Sequence, residues 1–273
     1  MVPGEGGGDC ARQVTPFTFA PGKHNPHFPH PAPTLMTRNL LAIATLVLTG
    51  LAATAPAQSA TWTAGVHYTV IPTQRTNVAA GKVEVMEVFS YGCPACNQFR
   101  PVMKQLKAAL PANAQLVYLP ASWHPEENWP MFQRAYLTAQ SFGVADKAHE
   151  AMFDAIWTTG ELAITDQRTH QIKTKLPSIN DAARFYQRVA GVKPADFVAA
   201  SKSFGVDLKM RQADGQITAM QVSGTPCLVI NGKYRVNNER LKSNQEIIDV
   251  VKFLVAKESV PAAAAPPAPA KKP

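Results

Sequence analysis

The stretch VEVMEVFSYGCPAC occupies residues 83–96 and decides the fold of this chain. Residues 83–89 are mostly β-branched or otherwise apolar, which predicts a buried strand, and residues 90–92 end it. Apolar residues then recur at helical spacing and predict an amphipathic helix; they are Phe99, Val102, Met103, Leu106 and Leu110. Two cysteines, Cys93 and Cys96, therefore lie where a strand gives way to a helix.

The segment Cys93-Pro94-Ala95-Cys96 has the spacing of a redox-active pair. With Cys93 at the N-cap, Pro94 occupies the first helical position, where its missing N–H costs nothing. The N–H groups of Ala95 and Cys96 can then point at the Cys93 sulfur. Together with the positive end of the helix, they stabilise the Cys93 thiolate and so lower its pKa below the value of about 8.5 of a free cysteine. Since a stabilised thiolate is a good leaving group, the pattern predicts thiol–disulfide exchange.

Two structural interpretations of the pair are less well supported. A structural zinc site takes four ligands, usually from two such pairs, and the sequence has one. A structural disulfide between Cys93 and Cys96 closes so small a loop that it constrains the unfolded chain very little. The other cysteines are Cys10 and Cys227, too few for a disulfide-stapled scaffold. Cys227 lies in an apolar strand and is interpreted as a small core residue, with a third reactive thiol as the alternative.

Further strands are predicted on both sides of this region. They lie at 66–71, 115–119, 227–230 and 234–236. The dipeptide Asn231-Gly232 is a strong hairpin signal and joins the last two.

Five further groups of apolar residues recur at helical spacing. They are Phe132, Ala135, Tyr136, Ala139 and Phe142; Val144, Ala148, Ala151, Met152, Ala155 and Ile156; Phe185 and Val189; Val206, Met210, Ala213, Ile217 and Met220; and Ile247, Val251, Leu254 and Val255. Pro130 and Gly143 are the expected limits of the first, and Asn180 and Gly191 of the third. Ser243 and Glu246 form a capping box before the last. This order predicts one sheet interrupted by a helical insertion.

Composition and charge argue against a disordered protein and against a nucleic-acid binder. The 273 residues are 46% hydrophobic and 17% charged, which is enough apolar material for a core and too much for general disorder. The net charge of +8 comes from scattered Lys and Arg residues, without the dense or aromatic-interleaved basic block of a nucleic-acid binder. We therefore expect no nucleic-acid partner.

The N-terminal region has the order of a secretory signal. A short basic segment after Met36 is followed by an apolar run and by Ala55-Pro56-Ala57, a small-x-small cleavage site. The apolar run falls short of the ~20 residues of a membrane span, which disfavours an uncleaved anchor. We predict a signal peptide at 36–57 and a mature chain that begins near Gln58 in an oxidising compartment.

The two ends of the chain have no helical or strand period. Residues 1–35 are rich in Gly, Pro and His, and we interpret them as a leader outside the native protein. Translation would then start at Met36, and Cys10 would be absent. Residues 258–273 form an Ala/Pro tail with nothing to bury and are predicted to be disordered.

Several features together resemble the periplasmic disulfide oxidoreductases of the DsbA type, within the thioredoxin-like superfamily. The resemblance covers residues 68–256. It rests on the redox pair after Phe89-Ser90-Tyr91, Glu87 six residues before the first cysteine, Pro101 five residues after the second, a helical block between sheet halves, and Thr225-Pro226 before a terminal hairpin. Two features depart from the family: the Pro-Ala dipeptide lacks a histidine, and residues 115–120 contain no lysine to partner Glu87.

The resemblance implies an α/β, thioredoxin-like fold with a helical insertion domain. Its parts would be a first thioredoxin-like segment at 62–125, the insertion at 126–193 and a second thioredoxin-like segment at 194–257. It implies a monomeric oxidase in the periplasm that introduces disulfides into exported proteins with free cysteines. No cofactor is implied beyond the redox-active Cys93–Cys96 disulfide. Reoxidation would come from a membrane, quinone-linked oxidase of the DsbB type.

The candidate catalytic residues are Cys93, Cys96, Pro226, Thr225 and Glu87. The resemblance implies a cis-proline at Pro226 that packs against the redox disulfide, whereas base rates for X–Pro bonds alone favour an ordinary turn. A cis bond would present the Thr225 backbone to substrate. Glu87 shares a strand face with apolar residues, so a buried acid that relays a proton for Cys96 is one interpretation. A carboxyl group that reaches water through strand twist is the other.

Two rival functions stay open, and so does the role of one aromatic pair. A reductase or isomerase belongs to the same enzyme class, although isomerases of this superfamily generally need a dimerisation segment, and none is visible before Val66. A non-enzymatic thioredoxin-like chaperone module is disfavoured because both cysteines are present. Trp123 and His124 are interpreted as a surface pair, with a place beside the redox groove as the alternative.

Overall fold

The computed structural model describes residues 61–166 and 168–259. The predicted leader (1–35), Cys10 and the predicted signal peptide (36–57) lie outside the described residues, as do residues 260–273 of the predicted tail. Within the described ranges, no helix is both long enough and apolar enough to cross a membrane.

Strands and helices of the described residues follow one another in an α/β order. The strands are β1 (Tyr68–Val70), β2 (Val83–Phe89), β3 (Ala114–Pro120), β4 (Cys227–Ile230) and β5 (Tyr234–Val236). The helices are α1 (Pro94–Ala109), α2 (Trp129–Ser141), α3 (Ala145–Trp157), α4 (Ile179–Ala190), α5 (Pro194–Ser201), α6 (Phe204–Ala219) and α7 (Asn244–Ser259). The predicted α/β class is confirmed, and α2 to α6 lie in the chain between β3 and β4.

The five strands form one mixed sheet in the order β1-β5-β4-β2-β3. The central strand β2 runs parallel to β3 and antiparallel to β4, with Val88 opposite Cys227. The β4–β5 hairpin turns at Asn231 and Gly232, both with positive φ, as the turn signal predicts. The sheet therefore brings the start of β4 beside the end of β2, which leads into the cysteine pair.

A hydrophobic cluster covers each face of the sheet. One contains Val83 and Val85 of β2 with apolar residues of α1 and α7. The other contains Met86 and Val88 of β2 with apolar residues of α2 to α6. Because alternate side chains of a strand point to opposite faces, both faces of β2 are covered and all seven of its residues are buried.

The helical region departs from the sequence prediction in three places. The predicted N-cap Asn180 is wrong: Ser178 caps α4 in a capping box with Asp181. Helix α5 was not predicted, because it has eight residues and no capping side chain, yet it packs against α2 and α4 across the expected boundary at 193/194. Phe142 ends α2 as its C-cap and is 36% exposed rather than part of the buried face.

The last helix begins and ends differently from its prediction. Ser243 accepts the expected hydrogen bond from the Glu246 N–H, but the Glu246 carboxylate accepts from the Lys242 N–H instead of from Ser243. Helix α7 continues through Ser259, so Glu258, which we predicted to lie in the tail, is helical. Its carboxylate accepts hydrogen bonds from side chains of the β4–β5 hairpin and thereby fixes the C-terminal end of α7 to the sheet.

Candidate redox site

Cys93 is the N-cap of α1, as predicted. Its backbone is extended, with φ −83° and ψ 116°, and Pro94 begins the helix. The Cys93 Sγ accepts a hydrogen bond from the Cys96 N–H at 3.3 Å. The four-residue spacing thus places the first sulfur at the positive end of a 16-residue helix, where a negative charge is stabilised.

The two thiols have opposite pKa shifts. The Cys96 thiol, which can donate a hydrogen bond to the Cys93 sulfur, is the main cause that lowers the pKa of Cys93 to about 6. The backbone N–H groups of Cys96 and Ala95 lower it further, and burial opposes them. Burial is the main cause that raises the pKa of Cys96 well above its usual value. Cys93 is 5% exposed and Cys96 is fully buried, so an attacking sulfur can approach only Cys93.

The Thr225–Pro226 peptide bond is cis, which confirms the predicted geometry. The Cys93 thiol donates a hydrogen bond to the Thr225 carbonyl oxygen at 3.5 Å, so this loop lies beside the redox sulfur. Thr225 is buried, and a hydrogen bond from its side chain is a further cause that lowers the pKa of Cys93. The Pro226 carbonyl oxygen accepts a hydrogen bond from the Asn238 side-chain amide at 3.3 Å.

Glu87 is 3% exposed, which favours the buried acid over the water-exposed carboxyl group. Burial, and secondarily the charges of Cys93 and Glu150, raises the pKa of Glu87 to about 8. The Glu87 charge in turn contributes to the raised pKa of Cys96. Tyr118 stands opposite Glu87 in the register of β2 and β3.

Trp123 and His124 do not share one environment. The His124 side chain is 47% exposed and binds the Glu126 carboxylate at 2.9 Å, as a surface residue would. Trp123 is half-buried and packs against Trp129, with 6.2 Å between the ring centroids. The described residues contain no group of three or more His, Cys, Asp or Glu side chains that could hold a metal ion. Cys227 is fully buried in β4.

Comparison with known proteins agrees with this geometry. A sequence model of the DSBA-like thioredoxin domain matches residues 84–249. The thiol:disulfide interchange protein DsbA of Pseudomonas aeruginosa PAO1 is 32% identical over 81% of this chain and 97% of its own length. That of Azotobacter vinelandii is 31% identical over 71% of this chain and 83% of its own length. The chain belongs to the DSBA-like thioredoxin family.

Solved structures of the family have the same fold. The oxidoreductase DsbA from Xylella fastidiosa superposes with a TM-score of 0.62 at 30% identity, covering 72% of this chain and 97% of that one. DsbA from Pseudomonas aeruginosa superposes with a TM-score of 0.58 at 31% identity, over 72% of this chain and 94% of that one. As a member of this family, the chain is a thiol:disulfide oxidoreductase.

Sequence reasoning missed several residues that surround the family's redox pair here. Tyr91, two residues before Cys93, forms a hydrogen bond through its hydroxyl with His149 and through its carbonyl with Trp157. Trp129 packs so closely on Gly92 that a Cβ there would lie 2.7 Å from the indole ring. The sequence only weakly indicates the contacts of Tyr91. His149 and Trp157 lie beside the predicted apolar face of α3, but the helical period does not predict which residues they contact.

Proposed function

We propose that this chain is a dithiol oxidase that introduces disulfide bonds into other proteins through the Cys93–Cys96 pair. The N-cap geometry carries the proposal, because the Cys96 N–H lies 3.3 Å from the Cys93 sulfur and the pKa of Cys93 is lowered to about 6. A stabilised Cys93 thiolate favours the reduced form of the pair and therefore makes the disulfide more oxidising.

In the proposed reaction, a substrate thiolate attacks the Cys93 sulfur of the oxidised pair. The Cys93–Cys96 bond breaks, a mixed disulfide forms, and Cys96 leaves with the electron pair. The second substrate thiolate then attacks the substrate sulfur of the mixed disulfide and releases the Cys93 thiolate. Two electrons have passed from the substrate to the pair, and the substrate leaves with its disulfide.

Glu87 is the proposed proton donor to Cys96 as it leaves. With a pKa of about 8, the Glu87 carboxyl group still holds its proton at neutral pH. The raised pKa of Cys96 makes its thiolate a strong proton acceptor in the buried site. The match of a protonated acid with a basic leaving group supports proton transfer between them.

The Thr225–Pro226 segment is proposed to align the substrate. The Thr225 carbonyl oxygen lies 3.5 Å from the Cys93 sulfur, so a peptide bound to Cys93 passes this backbone. An exposed backbone edge can pair with an extended peptide by main-chain hydrogen bonds. Pro226, which follows Thr225 and lacks an N–H, is proposed to shield the sulfur.

The partners and the compartment follow from family membership and the N-terminal sequence. We propose that the clients are exported proteins with free cysteines, that the site of action is the periplasm, and that a membrane, quinone-linked oxidase of the DsbB type reoxidises the monomer. The signal pattern at 36–57 supports export. We also keep the division into 62–125, 126–193 and 194–257 as a proposal. N-terminal sequencing of the secreted product should find a start near Gln58; an intact 1–35 segment on a cytoplasmic product would contradict export.

The decisive experiment is the equilibrium of the protein with glutathione, read by acid quenching and alkylation of free thiols. We expect the pair to be reduced at low ratios of reduced to oxidised glutathione, and the oxidised protein to refold a reduced, disulfide-requiring substrate. The Cys93→Ser variant should do neither. A pair that stays oxidised in a strongly reducing glutathione buffer, together with rapid insulin reduction, would indicate a reductase instead. Wild-type protein inactive in both assays would indicate a chaperone module.

A further inference from the structure

Helix α3 holds the turn that precedes the redox pair by two hydrogen bonds to one residue. The Trp157 indole N–H donates to the Tyr91 carbonyl oxygen at 2.9 Å. The Tyr91 hydroxyl is hydrogen-bonded to the His149 Nδ1 at 3.0 Å. His149 and Trp157 are eight residues apart, a spacing that places them on one face of the helix. Tyr91 is therefore held at its backbone and at the end of its side chain by the same element.

The contact between Tyr91 and His149 is buried, and that between Tyr91 and Trp157 is partly buried. Tyr91 is 1% exposed and His149 is 4% exposed. Burial raises the pKa of Tyr91 well above its usual value and lowers the pKa of His149 to about 3. Both groups therefore stay neutral, and the hydrogen bond between them persists throughout the pH range in which thiols exchange.

The turn transmits the position of Tyr91 to Cys93 over one residue. The Cys93 N–H donates to the Ser90 carbonyl oxygen at 3.2 Å, and the Gly92 N–H donates to the Ser90 hydroxyl at 3.2 Å. Gly92 itself lies against Trp129, where a Cβ would be 2.7 Å from the indole ring. With Tyr91 held on one side and Gly92 packed on the other, the Tyr91–Gly92 peptide has little freedom to rotate.

A second link joins α3 to the redox helix. The Arg100 guanidinium of α1 forms ion pairs with Glu150 at 2.8 Å and with Asp154 at 2.9 Å. It also lies 5.4 Å from the centre of the Phe153 ring. Helix α3 is thus fixed to both sides of the Cys93 N-cap, to the turn before it and to the helix after it.

We propose that Trp157 and His149 are positioning residues that hold Cys93 at the N-cap of α1, so that the helical insertion helps set the stability of the Cys93 thiolate. Both act through Tyr91, to which they are hydrogen-bonded. The hydrogen bond from the Cys96 N–H depends on the extended backbone of Cys93, which continues directly from the held peptide. Release of the Tyr91 carbonyl lets this peptide rotate and weakens the N-cap. The inference rests on the proposed redox function of the pair.

The test compares Trp157→Phe with Trp62→Phe. The first keeps an aromatic ring but removes the N–H donor to Tyr91. The second makes the same change at a half-buried tryptophan that packs on the other face of the sheet, in the cluster of α1 and α7. In the Trp157→Phe protein we expect a higher Cys93 pKa, read from thiolate absorbance. We also expect a fall in the equilibrium constant for reduction of the Cys93–Cys96 disulfide by glutathione. The fall should be about threefold to tenfold, the range that one lost hydrogen bond supplies. Trp62→Phe should leave both values unchanged.

A merely structural role would lower the melting temperature without moving the pKa of Cys93 or the glutathione equilibrium, and that result overturns the proposal. If Trp157→Phe does not fold, Tyr91→Phe decides in its place, because it removes the hydroxyl bound to His149 and keeps the ring. A raised Cys93 pKa in Tyr91→Phe supports the proposal, and an unchanged one contradicts it. A wild-type Cys93 that titrates as an ordinary thiol would instead contradict the proposed function itself.

Discussion

Glu87 and Tyr118 stand directly opposite each other across the parallel strands β2 and β3. The Tyr118 ring in turn stacks on the His149 ring at 4.0 Å between centroids. An aromatic ring, rather than a cation that would stabilise the ionised carboxylate, therefore lies opposite Glu87. This environment explains why burial dominates the pKa of Glu87 and raises it to about 8.

We expect Glu87→Gln to flatten the dependence of stability on pH in the oxidised protein. An unfolded Glu87 ionises near 4.5, whereas burial, the largest cause of the raised pKa and one that does not depend on the redox state of the pair, makes the folded Glu87 keep its proton to a higher pH. Between these values the folded state binds more protons, so wild-type stability falls as pH rises, by up to about 1.4 kcal/mol per pH unit. Glu87→Gln removes this slope. Denaturant unfolding at pH 5, 6, 7 and 8 measures it.

Glu126→Gln is the matched control for this measurement. The pKa of the exposed Glu126 carboxyl is lowered, by hydrogen bonds from its own backbone and from His124, so it is ionised in both states above pH 5. Its substitution should leave the slope from pH 5 to pH 8 as in wild type. Equal slopes for Glu87→Gln and wild type would show that Glu87 does not hold its proton in the folded state.

We expect Cys96→Ala to raise the pKa of Cys93 from about 6, because the Cys96 thiol is the largest cause that lowers it. The rise should be about one unit, the effect of one hydrogen bond to a charged group. The backbone N–H of residue 96 remains, so Cys93 should still titrate below an ordinary cysteine. Thiolate absorbance measures this, with Cys227→Ala as the control. If the pKa of Cys93 did not rise in Cys96→Ala, the lowered pKa would be due to the N-terminal end of α1 alone.

We expect Gly92→Ala to destabilise the protein by about 1–3 kcal/mol, the usual range for overpacking. The new Cβ would lie 2.7 Å from the Trp129 ring and 2.8 Å from the Glu127 carbonyl oxygen. Gly215→Ala is the matched control: it lies inside α6 with open space around its Cβ position, so it should stabilise by about 1 kcal/mol. Chemical denaturation compares the two, and equal stability of Gly92→Ala and wild type would mean that Trp129 can move away from the turn.

We expect Arg100→Met to cost about 1–2 kcal/mol of stability, because it removes two ion pairs and a ring contact between α1 and α3. The Arg100 side chain is 20% exposed, whereas Glu150 and Asp154 are 62% and 50% exposed, so solvent screens both ion pairs. The contact of Arg100 with the Phe153 ring supplies part of the loss. Arg184→Met is the control, since its ion pair with Asp181 involves a side chain that is 65% exposed and should contribute less than about 0.5 kcal/mol. Equal losses in the two variants would show that the α1–α3 link adds nothing beyond surface charge.

The parts of the fold that depend on neighbours in the chain could be predicted from the sequence. The N-cap at Cys93 needs residues 93–96 alone, and the hairpin at Asn231-Gly232 needs the backbone freedom of two turn residues. Where short-range signals competed, the prediction failed: Ser178 and Asn180 are both good N-caps, and the capping box with Asp181 selects the serine. Helix α5 begins at Pro194 and has no capping side chain, and its eight residues are too few to establish a helical period.

What the sequence by itself determined was the chemistry, because the strand end, the helix start and both sulfurs lie within one short segment. What only the tertiary structure decided was the environment of that chemistry. The burial of Glu87 depends on the strands and helices packed around β2, and the contacts of Tyr91 reach residues 58 and 66 positions away in the chain. Hydrophobic periodicity says which face of α3 is buried. It does not say that His149 and Trp157 meet Tyr91, because the partner of a buried donor is chosen by how the helices pack on the sheet.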